Sequence, residues 1–331
     1  ERMETVIFNA DFEWQLFQNS QQLKSTKKTQ EFEYLVNWIE PSLTIHTTKD
    51  YTKEYQRWYF KFTHEPFKYS ADDSEVKPWC GDFSQLTLKR KLQDKSQTLS
   101  FAAKYGLGPV DFGLIHDEME IQPGHLYKYP KSLSGMGHYE FQDKDKIIPF
   151  LKRGETLTKE KKLNRILDFS TLWFDGELQS FYQNIVTENY QYRGTLIQEG
   201  TPFLTVEQKQ DFNLKTALLS SWLEDYRGVL SIDSFIYQEN KTEKIYFLSE
   251  VNCRKTMGYT ASRLKEKLFP HEKLVKFVFG NYKVQVSDYE KLYEKSDKKI
   301  IALSPDDHKF KCFLIAAQDL TDLEKLENLI S

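Results

Sequence analysis

Ser231-Ile232-Asp233-Ser234-Phe235 and Ser249-Glu250-Val251-Asn252-Cys253-Arg254 are the two stretches on which the reading of this chain turns. Each belongs to an apolar, β-branched and aromatic run, 230–237 and 244–251. Both runs have the composition of strands, and the polar residues 238–243 between them make a turn, so a β-hairpin is expected. Residues two apart on a strand point to the same face, so Glu250 and Asn252 share one. With the turn near Asn240, Asp233 comes beside them at the strand ends. Two carboxylates and an amide oxygen make a hard-oxygen set suited to Mg2+, whose other positions would be phosphate oxygens and water. A guanidinium at Arg254, two residues on, could neutralise charge on a transferring phosphoryl group. The competing reading is an exposed acidic strand end. Against it, charges clustered on apolar strands need a reason, because burying them unpaired is costly.

Upstream, Leu126-Tyr127-Lys128-Tyr129-Pro130 reads as a strand that delivers a lysine, and Ser132-Leu133-Ser134-Gly135-Met136-Gly137-His138 as the loop after it. The Lys128 ammonium could pair with phosphate oxygens. Small residues such as Ser134, Gly135 and Gly137 let backbone N–H groups approach a phosphate closely. No Gly-Lys-Ser/Thr follows, so this is not a Walker-type loop. A surface turn flanked by lysines is the alternative. Between the two regions lie Glu160, at the start of a connecting segment, and Asp168, entering a strand over 165–173. Such acids could bind an adenine amino group and ribose hydroxyls, or belong to a solvated linker.

The remaining pattern alternates strands and helices. Residues 5–9, 44–46 and 58–62 carry strand-like residues, and 32–39 reads as a helix ending at Pro41. Residues 70–78 form a loop before Trp79-Cys80-Gly81, which lines a junction or packs in a core. Helices are expected over 86–92, 93–105, 212–226, 260–268 and 320–330, with Gly106 placed as a helix-ending glycine. A last strand pair is expected at 299–303 and 311–316. This mixed order predicts α+β and α/β units rather than one doubly wound sheet.

Composition excludes several classes. Lys and Arg number 46 against 49 Asp and Glu, so no excess charge points to nucleic acid or an anionic membrane. No apolar run reaches membrane-spanning length, and no basic-then-apolar opening marks a signal peptide. Cys80, Cys253 and Cys312 are too far apart for a zinc or redox motif and read as free thiols of a reducing cytoplasm. The histidines show no pair at helical metal spacing.

Taken in order, these residues resemble the ATP-grasp superfamily over about 94–268. Asp94-Lys95-Ser96-Gln97-Thr98 leading to Tyr105-Gly106-Leu107-Gly108-Pro109 is similar to that family's opening. The resemblance implies two α+β subdomains gripping ATP, preceded by a small α/β N-terminal domain. Its ranges are 1–93 for that domain, 94–170 for the small subdomain with the phosphate loop, and 171–331 for the large subdomain with the metal site. It implies nucleotide contacts from Lys95, Lys128, Ser134, Gly135, Met136, Gly137, His138, Glu160 and Asp168. It implies Mg2+ on Asp233, Glu250 and Asn252, and catalytic roles for Arg254 and Lys128. The chain departs from the family at Ser231, where several amide-forming members carry arginine, and in a loop less dense in glycine.

The activity implied is that of a carboxylate–amine ligase working through an acyl phosphate and giving ADP and phosphate. The alternatives are an ATP-dependent small-molecule kinase and a non-catalytic nucleotide-binding module. Small-molecule or peptide carboxylates and amines are the expected partners, without nucleic acid or membrane. A homodimer is among the states the resemblance allows.

Overall fold

The computed structural model describes residues 4–17, 26–131, 137–187 and 191–331 of the chain, and its strands form three sheets. The first is parallel. It contains β1 (Thr5–Ile7), β2 (Thr44–His46), β3 (Tyr69–Ser70) and β4 (Val76–Pro78) in the order β3-β2-β1-β4. Parallel neighbours need crossover connections. The helices Leu35–Ile39 and Lys53–Thr63 lie on two of them.

The second of these helices corrects the strand expected at 58–62. Trp58, Tyr59, Phe60 and Phe62 have strand-like composition, but their spacing is helical. Tyr55, Trp58 and Tyr59 are the buried residues of Lys53–Thr63, at i, i+3 and i+4, the spacing of one helix face. Thr52 caps the start by accepting from the Tyr55 N–H at 3.2 Å, and His64 ends it in the left-handed region at φ 55.

The second sheet is small and antiparallel. It contains β5 (Gly113–Ile115), β6 (His125–Lys128), β7 (His138–Tyr139) and β8 (Leu157–Lys161) in the order β5-β8-β6-β7. Its core joins Ile115, Tyr127 and Leu157 to Ile147 and Leu151 of the helix Lys144–Lys152.

The third sheet is antiparallel throughout. Its strands are β9 (Asn164–Phe174), β10 (Glu177–Val186), β11 (Tyr192–Gln198), β12 (Val229–Glu239), β13 (Thr242–Asn252), β14 (Leu274–Gly280), β15 (Ile300–Ala302) and β16 (Lys311–Ala317). Their order is β13-β12-β9-β10-β11-β14-β16-β15. The change from small to large sheet falls between Lys161 and Asn164, so residue 170 lies inside β9. The expected hairpin is β12–β13, with a shorter turn than the polar run suggested. Glu239 pairs with Thr242, leaving Asn240 and Lys241 as a two-residue loop with φ of 50° and 68°. A loop with both central residues at positive φ matches the twist of the flanking strands.

The parallel sheet does not stand apart. Val6, Phe8, Ile45, Tyr55 and Trp58 share one core with Val275, Phe277, Phe313 and Ile315. The aromatic helix is fastened to β15 and the residue after it. Trp58 Nε1 donates to the Ala302 carbonyl at 2.7 Å, while Trp38 Nε1 and the Tyr55 hydroxyl both donate to that of Leu303, at 2.9 and 2.7 Å. A second core lies where the helices Leu86–Gln93, Lys95–Lys104 and Val206–Trp222 meet the large sheet. The last of these starts six residues before the expected 212, because Thr205 and Gln208 form a capping box. Among the described residues no helix is long and apolar enough to cross a membrane.

Glu33 is buried in the shared core region, where its Oε1 accepts from the Thr47 hydroxyl at 2.6 Å and the Tyr51 hydroxyl at 3.1 Å. Burial pushes its carboxyl up to about 7 from an ordinary 4.5. A folded value above the unfolded one means that the stabilising contribution is complete below the unfolded value and is lost as pH rises through about 7. Glu33→Gln keeps an acceptor for both hydroxyls and removes the titration. The expected result in urea melts is near-equal stability at pH 5 and a more stable variant at pH 8, by on the order of 2–3 kcal/mol. An unchanged difference between the two pH values would refute the assignment.

Candidate functional site

The site lies at the seam between the small sheet and the β13 edge of the large one. Leu126 on β6 faces Glu160 on β8, and Lys128 lies two residues further along β6. Lys128 and Glu160 therefore share a face. Their side chains form an ion pair with only 3% and 4% exposed. From across the seam, the Tyr246 hydroxyl on β13 donates to Glu160. Glu160 thus belongs to a strand rather than to the connecting segment in which it was expected. Burial and the Glu160 charge drive the Tyr246 phenol well above its usual range, so it remains the donor. His138 pairs in register with Lys128. Burial, with the charges of Lys128, Lys95 and Arg165, holds its imidazole well below the usual range, so it is neutral at pH 7.

The glycine turn after Lys95–Lys104 closes the seam. The Leu107 carbonyl accepts from the N–H groups of Phe247 and Leu248 at 2.7 and 2.9 Å. Gly108 then passes so close to β13 that a Cβ there would meet the Tyr246 ring at 2.9 Å and the Leu248 carbonyl oxygen at 3.2 Å. Asp94 caps the preceding helix, accepting from the Ser96 and Gln97 N–H groups. That start directs Lys95 toward the large sheet, where its ammonium meets Glu250 Oε1 at 2.9 Å.

Asp233 on β12 is paired directly with Glu250 on β13. Asn252 donates its amide to Asp233 Oδ2 at 3.0 Å, and the Ser170 hydroxyl donates to Oδ1 at 2.5 Å. Asn184 on β10 in turn donates to Ser170 at 2.6 Å. Burial and the neighbouring Glu250 charge push Asp233 up to about 6, against the pull of these donors and of Arg254. Two opposed carboxylates, beside an amide whose nitrogen is already engaged, fit a hard divalent cation. Among the described residues no three His, Cys, Asp or Glu side chains gather to hold a metal by themselves.

Arg254 follows on the same strand end, and its Nε pairs with Glu13 of the parallel-sheet unit. Burial raises the Glu13 carboxyl above its usual range while Arg254 draws it back. The next residue, Lys255, lies 4.4 Å over the Trp79 ring and meets Glu40 at 3.1 Å, so Trp79 is both buried and at the junction. Asp168 is paired with Arg165, whose guanidinium lies 4.1 Å from the Phe235 ring. Ser231 is enclosed by neutral hydroxyls, with Tyr182 and Thr256 each at 3.0 Å.

The fold thus gathers Lys95, Lys128, Gly137, His138, Glu160, Asp168, Asp233, Glu250, Asn252 and Arg254 around one seam. Ser134, Gly135 and Met136 lie outside the described residues. Glu13, Ser170, Asn184 and Tyr246 escaped the sequence reading. An even spacing from Glu250 could have flagged Tyr246. The others carry no local signal, because each reaches the site from a separate segment.

No protein-family model and no curated protein sequence matches the chain. Solved structures do match in fold. N5-carboxyaminoimidazole synthetase from Staphylococcus aureus in complex with ADP is 10% identical, with 99% of this chain and 97% of that one covered at a TM-score of 0.55. The Thermus thermophilus N5-carboxyaminoimidazole ribonucleotide synthetase is 12% identical, covering 99% and 98%, also at 0.55. Biotin carboxylase from Campylobacter jejuni is 11% identical, covering 98% and 90%, at 0.56. These are ATP-grasp proteins, and the chain has the ATP-grasp fold.

Removing one member of a buried pair strands the other charge, which costs about 3–5 kcal/mol. Glu160→Leu should therefore lose that much stability in urea denaturation. The double variant Lys128→Met/Glu160→Leu should regain more than half of it. A double variant no more stable than the single one would mean that the pair is not what Glu160 contributes.

Proposed function

We propose that the chain is an ATP-dependent ligase that joins a carboxylate to an amine through an acyl phosphate, releasing ADP and phosphate. The observation that carries this reading is the partly buried opposition of Asp233 and Glu250, completed by Asn252 and fronted by Lys95 and Arg254. Support also comes from the solved neighbours of the same fold, described as complexes with ADP, ATP or MgADP. In this reading the small subdomain ends near the turn 162–163, and the nucleotide lies between the two sheets.

Glu160 would take the adenine amino group and Asp168 the ribose. Lys128 and Lys95 would hold the phosphate chain, exchanging their carboxylate partners Glu160 and Glu250 for phosphate oxygens. Residues 134–138 would cover it. Mg2+ held by Asp233, Glu250 and Asn252 would supply charge neutralisation at the phosphate oxygens. The hydrogen bonds from Ser170 and Asn252 keep Asp233 in its ionised, ligating form.

A substrate carboxylate oxygen attacks the γ-phosphorus, and the bond to the ADP oxygen breaks. The amine then attacks the acyl carbon, the acyl C–O bond breaks, and phosphate leaves carrying the proton that the nitrogen gives up. Arg254 stabilises the charge that collects on the acyl phosphate oxygens. The chain's contribution is chiefly positioning and electrostatics. The substrates are small molecules or peptides, and a homodimer belongs to the same reading. A cytoplasmic place of action accords with the three cysteines, each free and buried.

Calorimetry with wild type should show Mg2+-dependent ATP binding. Glu250→Gln should abolish turnover and weaken that binding with its circular dichroism unchanged. Full activity in this variant would sink the metal assignment. Lys128→Ala should weaken ATP binding tenfold or more, and unchanged affinity would remove Lys128 from the nucleotide site.

A further inference from the structure

The Glu13–Arg254 pair spans 241 residues and joins the parallel-sheet unit to the end of β13. Glu13 is buried and Arg254 nearly so, with side chains at 7% and 11% exposure. An arginine held for structure alone is commonly gripped by a carboxylate through two parallel bonds. Here the grip is one-sided. Glu13 meets Arg254 through Oε1 at Nε, and its Oε2 is buried without a hydrogen-bond partner among the described residues. Of the terminal nitrogens, Nη1 makes a long bond of 3.4 Å to the Lys255 carbonyl. The fork that binds planar oxyanions is thus not taken up by Glu13.

The corner that carries Glu13 is firmly fixed. The Asn9 amide donates to the Gly81 carbonyl at 2.7 Å, and its oxygen accepts from the Cys80 N–H at 2.8 Å. The Phe12 ring packs so tightly on Gly81 that a Cβ there would lie 2.7 Å from it. The Lys255 N–H bonds the Cys80 carbonyl at 2.7 Å, tying the strand end to the same corner. Glu13 is therefore held against Arg254 by the architecture.

The charges around the seam give this contact a consequence. At the end of β13 the carboxylates of Glu13, Asp233 and Glu250 face the cations of Lys95 and Arg254. Each cation is already opposed by an acid. A free anion entering this site meets no uncompensated positive charge at Arg254.

We propose that Glu13 determines anion specificity in this site: its carboxylate neutralises Arg254 from the Nε side and keeps free phosphate off the guanidinium. The inference rests on the ligase reading. The oxyanion it admits is of the phosphate or carboxylate class, delivered on the bound reactants, which offer further contacts that a free ion lacks. Loss of the Glu13 charge then opens the guanidinium to free inorganic phosphate.

The test is calorimetric titration of inorganic phosphate into the full chain saturated with MgADP. Glu13→Gln, which preserves shape, should bind phosphate at least tenfold more tightly than wild type. Glu13→Asp, which keeps the charge but shortens the arm, should tighten it about two- to threefold and decides the matter if the glutamine variant does not fold. Glu40→Gln removes a carboxylate of the same junction that pairs with Lys255 instead, and should change phosphate affinity less than twofold. Equal or weaker phosphate binding in the Glu13 variants would overturn the inference, and so would equal tightening by Glu40→Gln. Both outcomes leave MgADP binding intact. A wild type that does not bind MgADP would instead overturn the ligase reading, and this inference with it.

Discussion

Asp233 and Glu250 face each other across neighbouring strands, and like charges so placed repel. Much of what surrounds them offsets that repulsion. Lys95 reaches Glu250 from the start of a helix, and Ser170 and Asn252 donate to the two oxygens of Asp233. Asn184 braces Ser170 from a fourth strand. Four adjacent strands of the large sheet are thus committed to holding one pair of acids that an apolar face would otherwise expel. A site maintained at such cost is where function is to be sought.

The seam between the sheets repeats the same logic with a different pair. Lys128 and Glu160 lie almost wholly out of water, and the desolvation of each ion costs several kcal/mol. Tyr246 adds a charge-assisted hydrogen bond from the opposite sheet. The small sheet is therefore joined to the large one by polar contacts from its two central strands, beside the backbone docking of Leu107 on β13. A polar joint of this kind can exchange its partners for those of a polyphosphate, whereas an apolar joint would have to be dismantled to admit one.

The parallel-sheet unit contributes differently. Its aromatic helix packs against the last strands of the large sheet, so the two ends of the chain build one core. That packing fixes the corner at Asn9–Glu13 and brings Glu13 onto Arg254. The same corner meets Trp79-Cys80-Gly81, so the stretch that read either as a junction or as core is both.

The sequence by itself determined what depends on residues close together in it. The shared face of Glu250 and Asn252, the β12–β13 hairpin with Asp233 opposite, and the glycine turn after Lys104 follow from a two-residue period and from backbone needs within a short span. The ATP-grasp fold was legible for that reason, through motifs each confined to a few positions. Composition misled where two periodicities compete, as at Trp58–Phe62, whose aromatic residues suit a strand until their three- and four-residue spacing is weighed. Only the tertiary structure decided the partners. Lys95 meets Glu250 across 155 residues, Tyr246 meets Glu160 across 86 and Arg254 meets Glu13 across 241. The reason is physical: which distant side chains meet is set by how the cores pack the sheets and helices together, and no local pattern of residues records that packing.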